Sequence, residues 1–195
     1  MRLWDLESGA EIRRFEIPQF LFDVSFSPDG KQALTATGEP AVMLWDLETG
    51  EILQYLYGHD IEGDVAIFSS DGKTALSGGL DGTMVLWDLE SGEQLRRFWT
   101  DLHLVLDLEF SPDGRLVVQG SGDKVVVWDM ETGEVHRVFT EHQDFIDINM
   151  VDLGADGRTI ASSDLSGMML VWDWPTGEIL HRFKSPEALP AFVAL

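Results

Sequence analysis

The chain has no cysteine, only two tyrosines and only 13 Lys plus Arg among its 195 residues. Without cysteine there is no disulfide framework, no thiolate metal site and no thiol nucleophile, and a reducing cytoplasm is the expected setting. Long apolar runs are missing as well. None approaches the roughly 18 to 20 residues that a membrane-spanning helix needs, and Met1-Arg2-Leu3-Trp4-Asp5 opens on no apolar leader core. No membrane or targeting segment is expected. The few bases stand against 35 Asp plus Glu, a net charge of −22. A field of that sign repels nucleic-acid phosphates and anionic lipid, which argues against nucleic acid and membrane as partners and favours basic ones.

Helical periodicity is the last absence. Apolar residues recur at a spacing of two, and turn signals come too often to leave ten free residues. What the chain does have is a repeat. Trp4, Trp45, Trp87, Trp128 and Trp172 each precede Asp, at intervals of 41, 42, 41 and 44 residues. A Glu-Thr/Ser-Gly-Glu type of segment follows most of them. A second landmark keeps the same period: Ser27-Pro28-Asp29-Gly30, Ser70-Asp71-Gly72, Ser111-Pro112-Asp113-Gly114 and Ala155-Asp156-Gly157. Pro presets φ, Asp bonds neighbouring backbone and Gly accepts a left-handed conformation, so these are hairpin turns. An alternating run precedes each turn (Leu21 to Phe26, Val105 to Phe110) and another follows it. The third run, as in Met84-Val85-Leu86-Trp87, is continuously apolar and suits a strand covered on both faces. The fourth, such as Gln94 to Phe98, is studded with polar residues, as an outer strand should be.

Four antiparallel strands per period of about 42 describe a propeller blade. The expected fold is therefore all-β: a β-propeller of four-stranded antiparallel blades, about four complete with partial blades at both ends, about five in all. The boundaries fall at 1–16 (partial blade), 17–57, 58–99, 100–140, 141–184 and 185–195 (start of a further blade, its strand at 191–195), as one continuous array. Closure at about 42 residues per blade needs about 210 residues for five blades and about 294 for seven. The chain is thus expected to be a segment of a larger propeller protein or to complete its ring by self-association, with a five-blade closure in which residues 191–195 join residues 1–16 as a further alternative.

With five Trp-Asp pairs in register with Asp-Gly turns, the chain resembles the WD-repeat family of β-propellers over its whole length. The resemblance implies a hydrogen-bonded structural set in each blade: a His in the leading loop, a Ser or Thr on the second strand, an Asp in the next turn, and the Trp. His59, Ser77, Asp81 and Trp87 match all four. The other blades depart from the pattern: Thr35 and Glu39 without a His; His103, Gln119 and Asp123; and His142, Ser162 and Ser166. The near-identical Asp-Leu-Glu-Ser/Thr-Gly-Glu turns further resemble regular arrays attached to bacterial signalling or regulatory proteins.

No Gly-x-Ser-x-Gly elbow accompanies Ser77, the five histidines lack ligand spacing, and no calcium-loop or phosphate-cradle pattern is present, so no enzyme activity, metal or cofactor is expected. The expected function is a non-catalytic protein–protein interaction scaffold. The alternative is a ligand-binding or enzymatic propeller that uses its central opening. One rim, made of the leading loops and the turns between second and third strands, collects Glu39, Asp60, Glu62, Asp64 and Asp101. It continues through Glu141, Asp144, Asp147 and Asp164, with Tyr57, Trp99 and Phe145 as aromatic anchors and Lys124 as its one evident base. Lys31, Lys73, Arg115 and Arg158 follow the Asp-Gly turns on the opposite rim. This partition points to a basic protein or peptide docked on the acidic rim.

Overall fold

The computed structural model describes residues 1–17, 20–100, 104–142 and 147–185. Among them are eighteen strands and no helix. β1 (Arg2–Trp4) and β2 (Glu11–Arg14) form a two-stranded first sheet. The second sheet is β3 (Leu21–Phe26), β4 (Gln32–Thr37), β5 (Ala41–Asp46) and β6 (Ile52–Tyr57). β7 (Gly63–Phe68), β8 (Thr74–Gly79), β9 (Thr83–Asp88) and β10 (Gln94–Trp99) form the third. The fourth is β11 (Asp107–Phe110), β12 (Leu116–Ser121), β13 (Lys124–Asp129) and β14 (Val135–Phe139). The fifth is β15 (Ile148–Leu153), β16 (Thr159–Asp164), β17 (Met168–Asp173) and β18 (Glu178–Lys184). Every pairing is antiparallel and joins strands consecutive in the chain. This is the all-β propeller arrangement of four complete four-stranded blades and a partial one. The further strand expected at 191–195 lies outside the described residues.

The same two turns punctuate each sheet because the same residues recur. Between first and second strands, Ser27 Oγ donates to Asp29 Oδ1 at 2.7 Å while Lys31 N donates to the same oxygen. Ser69 with Asp71 and Ser111 with Asp113 repeat this. Gly30, at φ +69°, adopts the left-handed backbone that closes the turn. After the third strand, the Asp of each Trp-Asp pair caps the exit turn: Asp88 Oδ1 accepts from Ser91 N and Oγ, and Asp46 and Asp129 do the same for Thr49 and Thr132.

Blades pack face to face, and the core lies in the seams between them. Leu34, Val42, Leu44 and Leu56 of the second sheet meet Ala66, Phe68, Val85 and Trp87 of the third. Val65, Leu76, Met84 and Phe98 then meet Leu108, Val117, Val126 and Trp128 of the fourth. Val118, Val127 and Phe139 meet Val151, Ile160, Leu170 and Trp172 of the fifth. First strands β3, β7, β11 and β15 touch in series and line the inside of the array. Two of them are stitched across the seam by carboxylates, since Asp23 Oδ2 accepts Ala66 N at 3.0 Å and Asp107 Oδ2 accepts Val151 N at 2.7 Å.

At the first seam Met1, Leu3, Phe15 and Ile17 cover Trp45, Met43 and Ala33, and among the described residues no inner strand of the first sheet lies over β3. Val24 and Phe26 are 40% and 55% exposed, whereas Ala66 and Phe68, which hold the same pairing positions one blade on, are 1% and 9% exposed.

Candidate functional site

Within the third sheet the second strand delivers Ser77 directly beneath the indole, so Trp87 Nε1 donates to Ser77 Oγ at 2.9 Å. His59 enters from the leading loop, with Nε2 2.7 Å from the same hydroxyl and Nδ1 3.2 Å from Asp81. The donors run in one direction: indole N–H to serine oxygen, serine O–H to Nε2, and Nδ1–H to carboxylate. Asp81 also accepts from Asp60 N (2.8 Å), Thr83 N (3.0 Å) and Thr83 Oγ1 (2.8 Å). Burial pushes the His59 imidazole down despite the opposing pull of Asp81, which suits a neutral ring. Burial alone would raise Asp81, but the bonds from Asp60 and Thr83 hold it below the ordinary carboxylate range. Ser77 is fully buried with its hydroxyl committed on both sides, so the trio forms no open nucleophile.

A second set of this kind stands in the fifth sheet. Trp172 Nε1 donates to Ser162 Oγ at 3.0 Å, His142 Nε2 lies 2.7 Å from that oxygen, and His142 Nδ1 lies 2.9 Å from Asp164 Oδ2. One expectation is corrected here. Asp164 is not a rim carboxylate offered to a partner, since it is 0% exposed and closes this network. Ser166, which holds the place of Asp81 in the repeat, does not meet the imidazole but donates to Asp164 Oδ1 at 2.6 Å. The substitution works because Asp164 holds the place of Gly79. A Cβ added at Gly79 would come within 2.7 Å of His59 Nδ1, so a side chain from that position aims at the imidazole.

The other two complete sheets keep only part of the set. Trp45 Nε1 donates to Thr35 Oγ1 at 2.9 Å, and Trp128 Nε1 to Gln119 Oε1 at 2.7 Å. Gln119 Nε2, fully buried, has no partner among the described residues. His103 lies outside the described residues.

A family model described as "WD domain, G-beta repeat" matches residues 50–88, 93–129 and 133–173, more than half of the chain. The chain belongs to the WD-repeat family. Over 96% of its length it is 25% identical to human pre-mRNA-processing factor 17, of which it spans 34%. It is 30% identical over 78% of its length to transcription initiation factor TFIID subunit 5 of Caenorhabditis elegans, spanning 23% of that protein. Autophagy-related protein 16 of Arabidopsis thaliana is 27% identical across the whole chain, which spans 30% of it. The chain thus covers about a third or less of each of these relatives. All three are eukaryotic and lend no support to the bacterial resemblance.

The WD array places the remaining rim residues unevenly. Asp60 is exposed at the start of the leading loop of the third sheet, and Glu141 is exposed at that of the fifth. Glu39, Glu62, Asp64 and Asp147 are half-buried. Burial raises Asp64, with Glu62 adding to the effect. Trp99 is 70% exposed at the end of β10. Asp101, Asp144 and Phe145 lie outside the described residues. Lys124 is not the only base on this rim: Arg97 reaches to 4.0 Å from Asp60, and Lys184 Nζ donates to Ser166 O at 2.7 Å. Both bases lie at the ends of outer strands, where the sequence reading, confined to loops and turns, did not look.

That reading also missed the carboxylates of the inner strands. Burial pushes Asp107 up to about 7 against hydrogen bonds from Val151 N and Leu108 N, with Asp23 and Asp152 adding to the rise. Burial, then Asp152 and Asp107, takes Glu109 up to about 7 as well.

Proposed function

We propose that the chain is a non-catalytic WD-repeat scaffold whose acidic rim docks a basic segment of a partner protein. The observation that carries this is the exposure of Asp60 and Glu141 on the rim of a chain whose net charge is −22. Membership of the family supports the scaffold role, and relatives named as a pre-mRNA-processing factor and as a subunit of TFIID are in keeping with it. A cysteine-free chain suits work in a reducing cytoplasm. Binding of a Lys/Arg-rich peptide should be strong at low ionic strength and fall steeply with added salt, with Asp60→Lys weakening it. Binding indifferent to salt, or equal capture of an acidic peptide, would sink the proposal.

The apolar row Phe22, Val24 and Phe26 on β3, which no described residue of the first sheet covers, favours a second reading, self-association between copies of the chain. Light scattering should show a dimer that strengthens with salt as repulsion between the −22 charges is screened, and Phe26→Lys should return it to monomer.

A further inference from the structure

The inner strands carry five carboxylates. Asp23 lies on β3, Asp64 on β7, Asp107 and Glu109 on β11, and Asp152 on β15, all of them half-buried. β11 packs against β7, β8, β12 and β15, and neither these strands nor β3 and β11 themselves contain Lys, Arg or His. Asp107 faces Glu109 on its own strand, Asp152 on β15 and Asp23 on β3. Asp64 is the one titratable residue of β7 and faces Glu62, while β8 and β12 have none. A carboxyl group held partly out of water among like charges keeps a proton in preference to its charge.

Register decides which of these groups spans a seam. One pairing position, opposite Ala36, Gly78, Gly120 and Ser163 of the second strands, is taken in successive sheets by Asp23, Val65, Asp107 and Met150. Only alternate sheets can therefore reach the next blade with an acceptor from this place. The reach of Asp107 is the more tightly drawn. Its two oxygens accept from Leu108 N at 3.0 Å and, across the seam, from Val151 N at 2.7 Å. A Cβ added at Gly120 would come within 3.1 Å of both Ile148 Cγ2 and Val151 Cγ1, so β15 lies directly on β12 there. Two residues further along each strand, Glu109 and Asp152 hold the same pairing position in neighbouring sheets, opposite Val118 and Ala161. The seam between second and third sheets has Ser25 and Ile67 at that position, so it brings no second pair of carboxylates together.

We infer that the seam between the fourth and fifth sheets is a proton-operated joint, in which a proton held by Asp107 and Glu109 keeps β15 against β11 and its release lets the fifth sheet part locally from the fourth. The bond from Val151 N does not need the charge, since a carboxyl oxygen accepts in either protonation state. Charge on both groups would stand together against Asp152 across the seam, and the proton belongs to the pair rather than to one member. Burial and these neighbours take both groups up to about 7, which places the joint in the neutral range. Both values lie above those of the unfolded chain, so the seam is held fully below about pH 4 and loosens as pH rises through about 7. The parting is local because Val118, Val127 and Phe139 meet the fifth sheet in a core cluster separate from the one that joins the third and fourth.

The test is amide hydrogen exchange of the whole chain from pH 5 to pH 8, each rate taken relative to an unstructured peptide at the same pH. Protection of the Val151 N–H should fall by about tenfold over that range. It should also be insensitive to low urea, as suits an opening that exposes little surface, whereas Val85 in β9 should exchange through unfolding that urea promotes. Asp107→Asn, which keeps an acceptor for Val151 N, should cut the fall to less than about twofold, and Glu109→Gln should reduce it as well. A level profile at Val151 in the parent protein overturns the joint. So does a urea dependence at Val151 equal to that at Val85, the mark of global unfolding, and so does a fall that survives both substitutions. The first two outcomes need only the parent protein, so the test stands even if a variant folds poorly.

Discussion

The third and fourth sheets share a strand order and a Trp-centred register, yet one is closed and the other is not. In the third, His59, Ser77, Asp81, Thr83 and Trp87 satisfy one another, and Gln94 and Arg97 cover the seam. In the fourth, Gln119 carries an amide with no partner among the described residues, valines leave a groove beside Trp128, and burial raises Asp107 and Glu109 to about 7. The closed networks of the third and fifth sheets should make those blades harder to open locally than the fourth.

The largest expected effect tests the closed blade. Asp81→Ala strands four donors in or near a buried site, namely His59 Nδ1, Asp60 N, Thr83 N and Thr83 Oγ1, and should cost about 3 kcal/mol in urea unfolding. Asp164→Ala should cost a similar amount, because it empties the same place beside His142. Asp123→Ala, in the turn of the fourth sheet, should change stability by less than about 0.5 kcal/mol. Equal losses at Asp81 and Asp123 would erase the contrast between the blades.

Next in size is a pH effect centred on the open blade. The folded-state value of Asp107 is about 7, above its value in the unfolded chain, so the folded protein holds a proton that the unfolded one has released. The stability contributed is complete below about pH 4 and is lost as pH rises through about 7. Asp107→Asn keeps an acceptor for Val151 N and removes the charge facing Asp23, Glu109 and Asp152. It should raise stability by about 2 kcal/mol at pH 8 and by almost nothing at pH 4. The histidine networks run the other way. His59 and His142 are depressed by burial, so their contribution is present above the unfolded histidine value and falls as the medium becomes more acidic. A variant that loses stability at pH 8 would show that the Asp107 charge is favourable where it stands.

The array itself was legible because period, turn chemistry and strand alternation are local properties that repeat five times. The site was legible only where the repeat kept its spelling, as at His59, Ser77 and Asp81. Asp164 escaped because matching by sequence phase compares Ser166 with Asp81, whereas the imidazole is reached equally well from the position of Gly79, two residues earlier. That equivalence belongs to side-chain direction and leaves no trace in spacing. Asp23 and Asp107 escaped for a related reason: each bonds the next blade, 43 or 44 residues away, and a polar residue on an inner strand reads as mere alternation. The groove beside Trp128 is a deficit of side-chain volume, visible only once outer strands are paired with their own third strands.

The smallest expected effect cuts against the contrast and so sharpens it. Outer strands also tie each blade to the exit turn of the next, and here the fourth blade is the better secured. Arg96 of β10 donates to Glu131 O at 3.0 Å and to Thr132 O in the exit turn of the fourth sheet, with its guanidinium 5.0 Å from the Phe98 ring. The corresponding tie from the outer strand of the second sheet to the exit turn of the third is Gln54 Nε2 donating to Glu90 O at 3.4 Å. A charged donor with two acceptors outweighs a neutral one at long range, although solvent weakens both. Arg96→Ala should therefore cost about 0.5 to 1 kcal/mol and Gln54→Ala less than about 0.3 kcal/mol in the same unfolding measurement. Because the latch acts at the exit turns, Arg96→Ala should leave the pH profile of Val151 exchange intact. If that profile changed, the joint and the latch would be one mechanical unit, and the open blade would owe its looseness to its neighbour rather than to its own carboxylates.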